Sequence, residues 1–213
     1  MKRRTVKTIK EYLTPEQLYK LITSKSMTYH TTPKFYHVRD KALMGMAVLS
    51  AGRINEILSL RKSQFDTEES PRYIVVQNMK ISKRKKETVE KYGSHVARRW
   101  AFILPLSTDR NVYEYPKLAR LVPFSNLVVA HLNQIREDAK LFPFSTRWAY
   151  SIINVVTGMF PHWFRAQSEM IYGSILKDSV KLAKFVGVVK VESVLPYVGF
   201  DYQEMVKQPQ VIK

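Results

Sequence analysis

A Pro-His-Trp-Phe-Arg stretch (161–165) sets His162 and Arg165 three residues apart, and Tyr197 follows near the C-terminus. More than a hundred residues upstream, a Gly-Arg-Ile-Asn-Glu turn (52–56) supplies Arg53 and Glu56. Two arginines, a histidine and a late tyrosine are the parts needed to attack a DNA phosphate with a phenol. Strand cleavage without metal or activated water makes three demands. A nucleophile must reach phosphorus, charge growing on the non-bridging oxygens must be neutralised, and the leaving 5′-oxygen needs a proton. Arginine suits the second task, because its planar fork pairs two phosphate oxygens and stays charged. Tyrosine suits the first, since a phenoxide leaves more readily than an alkoxide and the covalent bond to phosphorus can be reversed. A lysine on a flexible hairpin can protonate the leaving oxygen, and a histidine can bond the phosphate or take the phenol's proton.

These residues need a scaffold, and the sequence predicts a mostly helical one. Thr14-Pro15-Glu16-Gln17 reads as a helix start, with Thr14 as N-cap, Pro15 in the first turn and Gln17 at the capping-box position. Leu18, Leu21 and Ile22 continue it as an apolar stripe. A buried helix is expected from Val38 to about Ser50, interrupted at Ala51-Gly52, with a second carrying Ile54, Ile57, Leu58 and Leu60. Residues 73–77 and 100–104 have β-type composition. The stretch between them holds Lys80, Lys83, Arg84, Lys85, Lys86, Lys91, Arg98 and Arg99, which reads as a hairpin with a charged tip. Further helices are expected near 124–139, 145–158, 162–172, 174–186 and 189–197. The fold class that follows is mostly α with a small antiparallel β-sheet (α+β). A basic tail (1–12) and a C-terminal tail (204–213) flank one domain over 13–203.

The 213 residues carry a formal charge of +17 with 45% hydrophobic content. That is enough apolar sequence for one domain with a core, and an excess of positive charge that points to a polyanionic partner. No apolar run approaches the roughly 18–20 residues of a spanning helix, and the basic start at Met1 is not followed by a signal core. No membrane partner is expected. There is no cysteine, which excludes disulfides, thiolate metal sites and a cysteine nucleophile and suggests a cytoplasmic protein, associated with a nucleoid or a virus. His30, His37, His95 and His131 show no metal spacing with carboxylates, so no metal is expected.

Residues 13–60, from Tyr-Leu-Thr-Pro-Glu-Gln's Leu13 through Ala-Gly-Arg-Ile-Asn-Glu-Ile-Leu-Ser-Leu, resemble the start of a tyrosine recombinase (phage-integrase family) catalytic domain. Gly52, Arg53 and Glu56 match the family's Gly-x-Arg-x-x-Glu turn, and His162 to Arg165 match its His-x-x-Arg box. The lead-in Leu141-Phe142-Pro143-Phe144-Ser145 is similar to the family's approach to that box, and the likeness extends to about residue 203. It implies DNA strand exchange through a 3′-phosphotyrosyl bond, with no cofactor. Arg53, Lys80, His162 and Arg165 would be catalytic, Tyr197 the nucleophile and Glu56 a supporting residue. Lys83 is the runner-up for the hairpin lysine and Tyr202 the competitor for the nucleophile. Lys83, Arg84, Lys85, Lys86, Arg98 and Arg99 would contact duplex DNA.

Two departures from the family pattern bear on activity. Val188 follows Gly187 where the family carries a histidine or tryptophan, and Ala166-Gln167 replaces a polar pair after the second arginine. Losing one donor to a developing oxyanion costs on the order of 3 kcal/mol. No counterpart of the family's N-terminal core-binding domain is seen, so such a domain is expected in trans, along with self-association on DNA. The alternative expectation is a DNA-binding protein that keeps the recombinase fold with weakened catalysis. A basic RNA-binding protein is a third reading, disfavoured by the lack of an RNP-type strand signature. Taken singly, the motifs have plainer readings: Arg53 and Glu56 as a helical ion pair, Tyr197 as one of twelve packing tyrosines.

Overall fold

Thr14 opens the first helix by the reciprocal bonds of a capping box. The Gln17 backbone N–H donates to Thr14 Oγ1 (3.2 Å) and the Thr14 N–H to Gln17 Oε1 (2.9 Å). In the computed structural model, which describes residues 12–24, 34–65, 72–77, 98–106, 116–188 and 190–198, this helix is α1 (Pro15–Ser24). It buries Leu18 and Ile22 completely.

The centre of the molecule is α2 (Lys34–Ser50). Its residues from Ala42 to Ser50 are buried without a polar face, as expected of a helix surrounded by others. It packs on α5 (Val122–Leu132) and α7 (Pro161–Leu176). Gly45 permits the close crossing with α5, since a Cβ there would stand 3.1 Å from the Phe124 carbonyl oxygen and 3.5 Å from Leu127 Cβ. Phe65, Phe124, Phe142 and Phe164 fill the core around these helices. Burying each such side chain contributes about 1.5–3 kcal/mol.

A helix's last carbonyls have no partner within the helix, and those of α2 are satisfied from α7. Ser168 Oγ bonds the Val48 carbonyl, and Tyr172 OH donates to the Leu49 carbonyl at 2.7 Å. Ser168 and Tyr172 lie with Arg165 on one helical stripe of α7 (i, i+3, i+7). The end of α2 and the His-x-x-Arg helix are therefore fixed to each other by hydrogen bonds between buried groups.

The remaining described elements are α3 (Ile54–Leu58), a 3-10 turn Lys62–Gln64, strands β1 (Arg72–Gln77) and β2 (Arg98–Leu104), and helices α4 (Pro116–Ala119), α6 (Thr146–Thr157) and α8 (Ser179–Val186). Two further 3-10 turns, Val191–Ser193 and Leu195–Tyr197, close the described chain. β1 and β2 pair antiparallel, Arg72 opposite Leu104 and Gln77 opposite Arg98, with an irregularity between Ile74 and Val76. Among the described residues no helix is long and apolar enough to cross a membrane.

Three expectations of the sequence are corrected. The helix expected over 124–139 ends at Leu132, because the chain beyond it is drawn into a bridge. Lys62 N–H donates to the Ala139 carbonyl (3.0 Å) and Leu141 N–H to the Leu60 carbonyl (2.8 Å). The helix expected over 162–172 runs on to Leu176, so a helix does not start at 174; it starts at Ser179, capped by Asp178, whose carboxylate accepts from the Val180 and Lys181 N–H groups. The expected helix over 189–197 is replaced by the two 3-10 turns. Pro196 cannot donate a helical hydrogen bond and disfavours helical geometry at Leu195. The 204–213 tail lies outside the described residues, and of the segment 1–12 only Tyr12 is described.

Candidate active site

The break between α2 and α3 aims two functional groups. Ala51 adopts a left-handed backbone (φ 46°), which costs a non-glycine residue about 1–2 kcal/mol and directs its carbonyl toward α7. Arg53 follows as the residue before α3. Its backbone N–H donates to Glu56 Oε2 (2.7 Å) and its Nη1 to Glu56 Oε1 (2.9 Å). Glu56 is buried and spends both oxygens on Arg53, while the Arg53 side chain stays 39% exposed. The carboxylate thus orients a guanidinium whose outer edge faces a cleft.

Arg165 comes to the same cleft from α7 and is far more enclosed, at 6% exposure. Its Nε donates to Glu169 Oε1 (2.9 Å), Nη1 to the Ala51 carbonyl (3.1 Å) and Nη2 to the Val186 carbonyl (3.2 Å). Two of the five N–H groups of the fork therefore join the ends of α2 and α8 to α7, and a third is held by Glu169 one turn further along α7. Burial lowers the Arg165 pKa, the Glu169 carboxylate opposes that shift, and the charge of Arg53 adds to it. The two arginines thus sense each other across the cleft.

His162 stands in the first turn of α7 and is exposed to the cleft. Tyr197 ends the second 3-10 turn and is half-buried. Its ring meets that of Tyr12 edge-on, centroids 6.3 Å apart. Burial raises the Tyr197 pKa and the charge of Glu169 raises it further, while the Tyr12 hydroxyl and the charge of Arg165 act the other way.

One cleft of about 510 Å³ is lined by Arg53, Glu56, His162, Arg165, Val188 and Tyr197 among others. Five of the six residues assigned catalytic or supporting roles from sequence meet there. Lys80 and the cationic stretch Lys83, Arg84, Lys85 and Lys86 lie outside the described residues. Arg98 and Arg99 lie on β2 opposite Gln77 and Val76. Tyr202 also lies outside the described residues. Val188 lines the cleft as an apolar wall with no donor to offer. Of the pair Ala166-Gln167, read from sequence as replacing a polar pair after Arg165, Gln167 is fully buried and its Oε1 accepts the Leu13 N–H at 2.8 Å. Sequence reasoning missed Glu169, although its i+4 position after Arg165 is the spacing of a helical ion pair. It also missed Tyr12, which no local pattern marks. Among the described residues no group of His, Asp and Glu could hold a metal ion.

Across its whole length the chain is similar to the crystal structure of XerA recombinase, with a TM-score of 0.54 and 16% identity, covering 68% of that chain. The chain has a recombinase fold. At this identity the likeness is one of fold. No family model and no curated protein matches the sequence.

Proposed function

We propose that this protein cleaves and rejoins DNA strands through a 3′-phosphotyrosyl intermediate. The observation that carries the reading is the convergence of Arg53, His162, Arg165 and Tyr197, from three separate segments, on one cleft. A scissile phosphate seated there would meet the Arg53 fork and the remaining N–H groups of Arg165. The Tyr197 oxygen would attack phosphorus and give up its proton, with His162 as acceptor or as a phosphate ligand. The bond from phosphorus to the 5′-oxygen would break, and that oxygen would leave as a hydroxyl with a proton from Lys80 or, failing that, Lys83. The charge neutralisation is built in before the reaction, which is where such a site gains most of its rate. Duplex DNA is the partner, held by the cationic stretch 83–86 with Arg98 and Arg99. Self-association on DNA, and a core-binding domain supplied in trans, belong to the same proposal.

A second reading is favoured by two features of the same cleft. Glu169 already neutralises Arg165, and Val188 offers no donor. A recombinase-fold protein that binds duplex DNA with weakened catalysis would have such a cleft. A nicked suicide duplex, from which the short fragment diffuses after cleavage, separates the two. The wild-type chain should give a slow-migrating, protease-sensitive band on a denaturing gel, and Tyr197→Phe should give none while binding duplex equally well. Full covalent product from Tyr197→Phe would remove Tyr197 from the role. Salt-sensitive binding with no covalent band from wild type would favour the binding protein.

A further inference from the structure

The stripe of α7 that carries Arg165 and Glu169 continues one turn later to Gly173, and the Tyr197 turn lies on it. A Cβ at Gly173 would fall inside the Tyr197 carbonyl group, 2.6 Å from its carbon and 3.4 Å from the Val198 nitrogen. That contact is with backbone, so no rotamer change relieves it. Glycine is a poor helix former, and in the last turn of α7 it is explained by the chain lying against it. On the other side, Tyr12 meets the Tyr197 ring edge-on. Tyr12 is itself held to α7, because its neighbour Leu13 donates to Gln167. The Tyr197 turn is thus gripped at its backbone by one helix position and at its ring by the residue leading into α1.

Resting on the strand-cleavage reading, we infer that Gly173 and Tyr12 are positioning residues for the nucleophile, setting the Tyr197 backbone and phenol against the protein's own arginine pair. Neither touches the phosphate. Gly173 sets where the turn sits, and Tyr12 braces the phenol ring from its edge. The Arg165–Glu169–Gly173 stripe therefore builds the charge and the seat of the nucleophile on one helix.

Two variants test this on the full chain. Gly173→Ala leaves α7 a better helix former but must displace the turn. Hydrogen exchange read by mass spectrometry should show residues 190–198 losing protection, with α2 and α5 unchanged. In single-turnover reactions on the suicide duplex, covalent product should form more slowly by on the order of 100-fold, the penalty of a nucleophile misplaced by about 1 Å. Duplex affinity should stay within about twofold (well under the 1.4 kcal/mol of a tenfold change). Tyr12→Phe keeps the ring and removes only the hydroxyl, which holds the Tyr197 pKa down. Its pH–rate profile should move to higher pH, a change that a merely structural role would not produce. Unchanged exchange at 190–198 in Gly173→Ala overturns the inference whether or not the protein cleaves DNA. So does covalent product formation at the wild-type rate and pH profile in both variants. If wild type itself gives no covalent product, the strand-cleavage reading fails, and the exchange result still decides whether Gly173 seats the turn.

Discussion

Arg165 is structural in the fold and would be chemical in the proposed reaction. Its guanidinium joins three helices and carries Glu169 as a counter-ion, so Arg165→Ala would leave a buried carboxylate without its partner. Breaking a buried pair in this way costs about 3–5 kcal/mol, so lost activity in that variant would report instability as much as chemistry. Glu169→Gln is the cleaner probe, because Gln keeps an acceptor for Arg165 Nε and removes only the charge. The Tyr197 phenol lies above its ordinary value of 10.0, by burial first and the Glu169 charge second. Glu169→Gln should therefore lower the phenol's pKa. The tyrosinate absorbance of each protein, less that of its Tyr197→Phe version, measures this, and identical midpoints would remove Glu169 as a cause. The sign for folding follows from linkage: a raised folded pKa gives stability that is full below the unfolded phenol value and is lost as pH climbs through the folded one. At this scale the sequence was legible where a residue's role rests on type and spacing, as for Arg53 with Glu56. It was opaque where the role comes from chain segments far apart, as for Tyr12 against Tyr197.

At the scale of elements, boundaries set by local chemistry were legible and those set by distant partners were not. The Thr14–Gln17 box is local chemistry and needs no tertiary partner. The end of α5 at Leu132 is set by residues 60–62, which recruit 139–141 into backbone bonds that no helical periodicity encodes. His131 locks that return. It is fully buried, its Nε2 bonds the Leu141 carbonyl at 2.7 Å, and its ring stacks on Phe142. Burial lowers the imidazole pKa, the nearby charge of Arg39 lowers it further, and the bond to Leu141 opposes both. A folded pKa below the unfolded 6.5 means the unfolded chain binds the extra proton more readily. The stability this contributes is present above that value and is lost as pH falls through the folded one. Thermal melts at pH 7 and pH 5 should therefore show a larger drop for wild type than for His131→Gln, whose amide can still donate to Leu141. Parallel drops would mean that acid acts elsewhere.

For the whole molecule, charge and fold answer different questions. Helical content and a buried α2 could be read from composition and apolar crowding, because a helix buried on all sides needs no periodicity to betray it. The +17 charge points to a polyanionic partner and says nothing of which atoms would meet it. Affinity for duplex DNA should fall linearly on logarithmic axes as salt rises, by about 0.9 per phosphate neutralised. Changing Lys83, Arg84, Lys85 and Lys86 together to Gln should flatten that slope by up to about 3.6, four contacts at about 0.9 each. Such contacts position the duplex without reading its sequence, so the loss should be equal on unrelated duplexes. Lys80→Ala should behave differently, slowing covalent product formation at saturating protein while altering the slope by no more than one contact. Fluorescence anisotropy across a salt series measures the slopes, and single-turnover cleavage measures the rate. If the fourfold variant keeps the wild-type slope, the basic stretch does not lie on DNA, and the polyanion must be held by cations elsewhere on the chain.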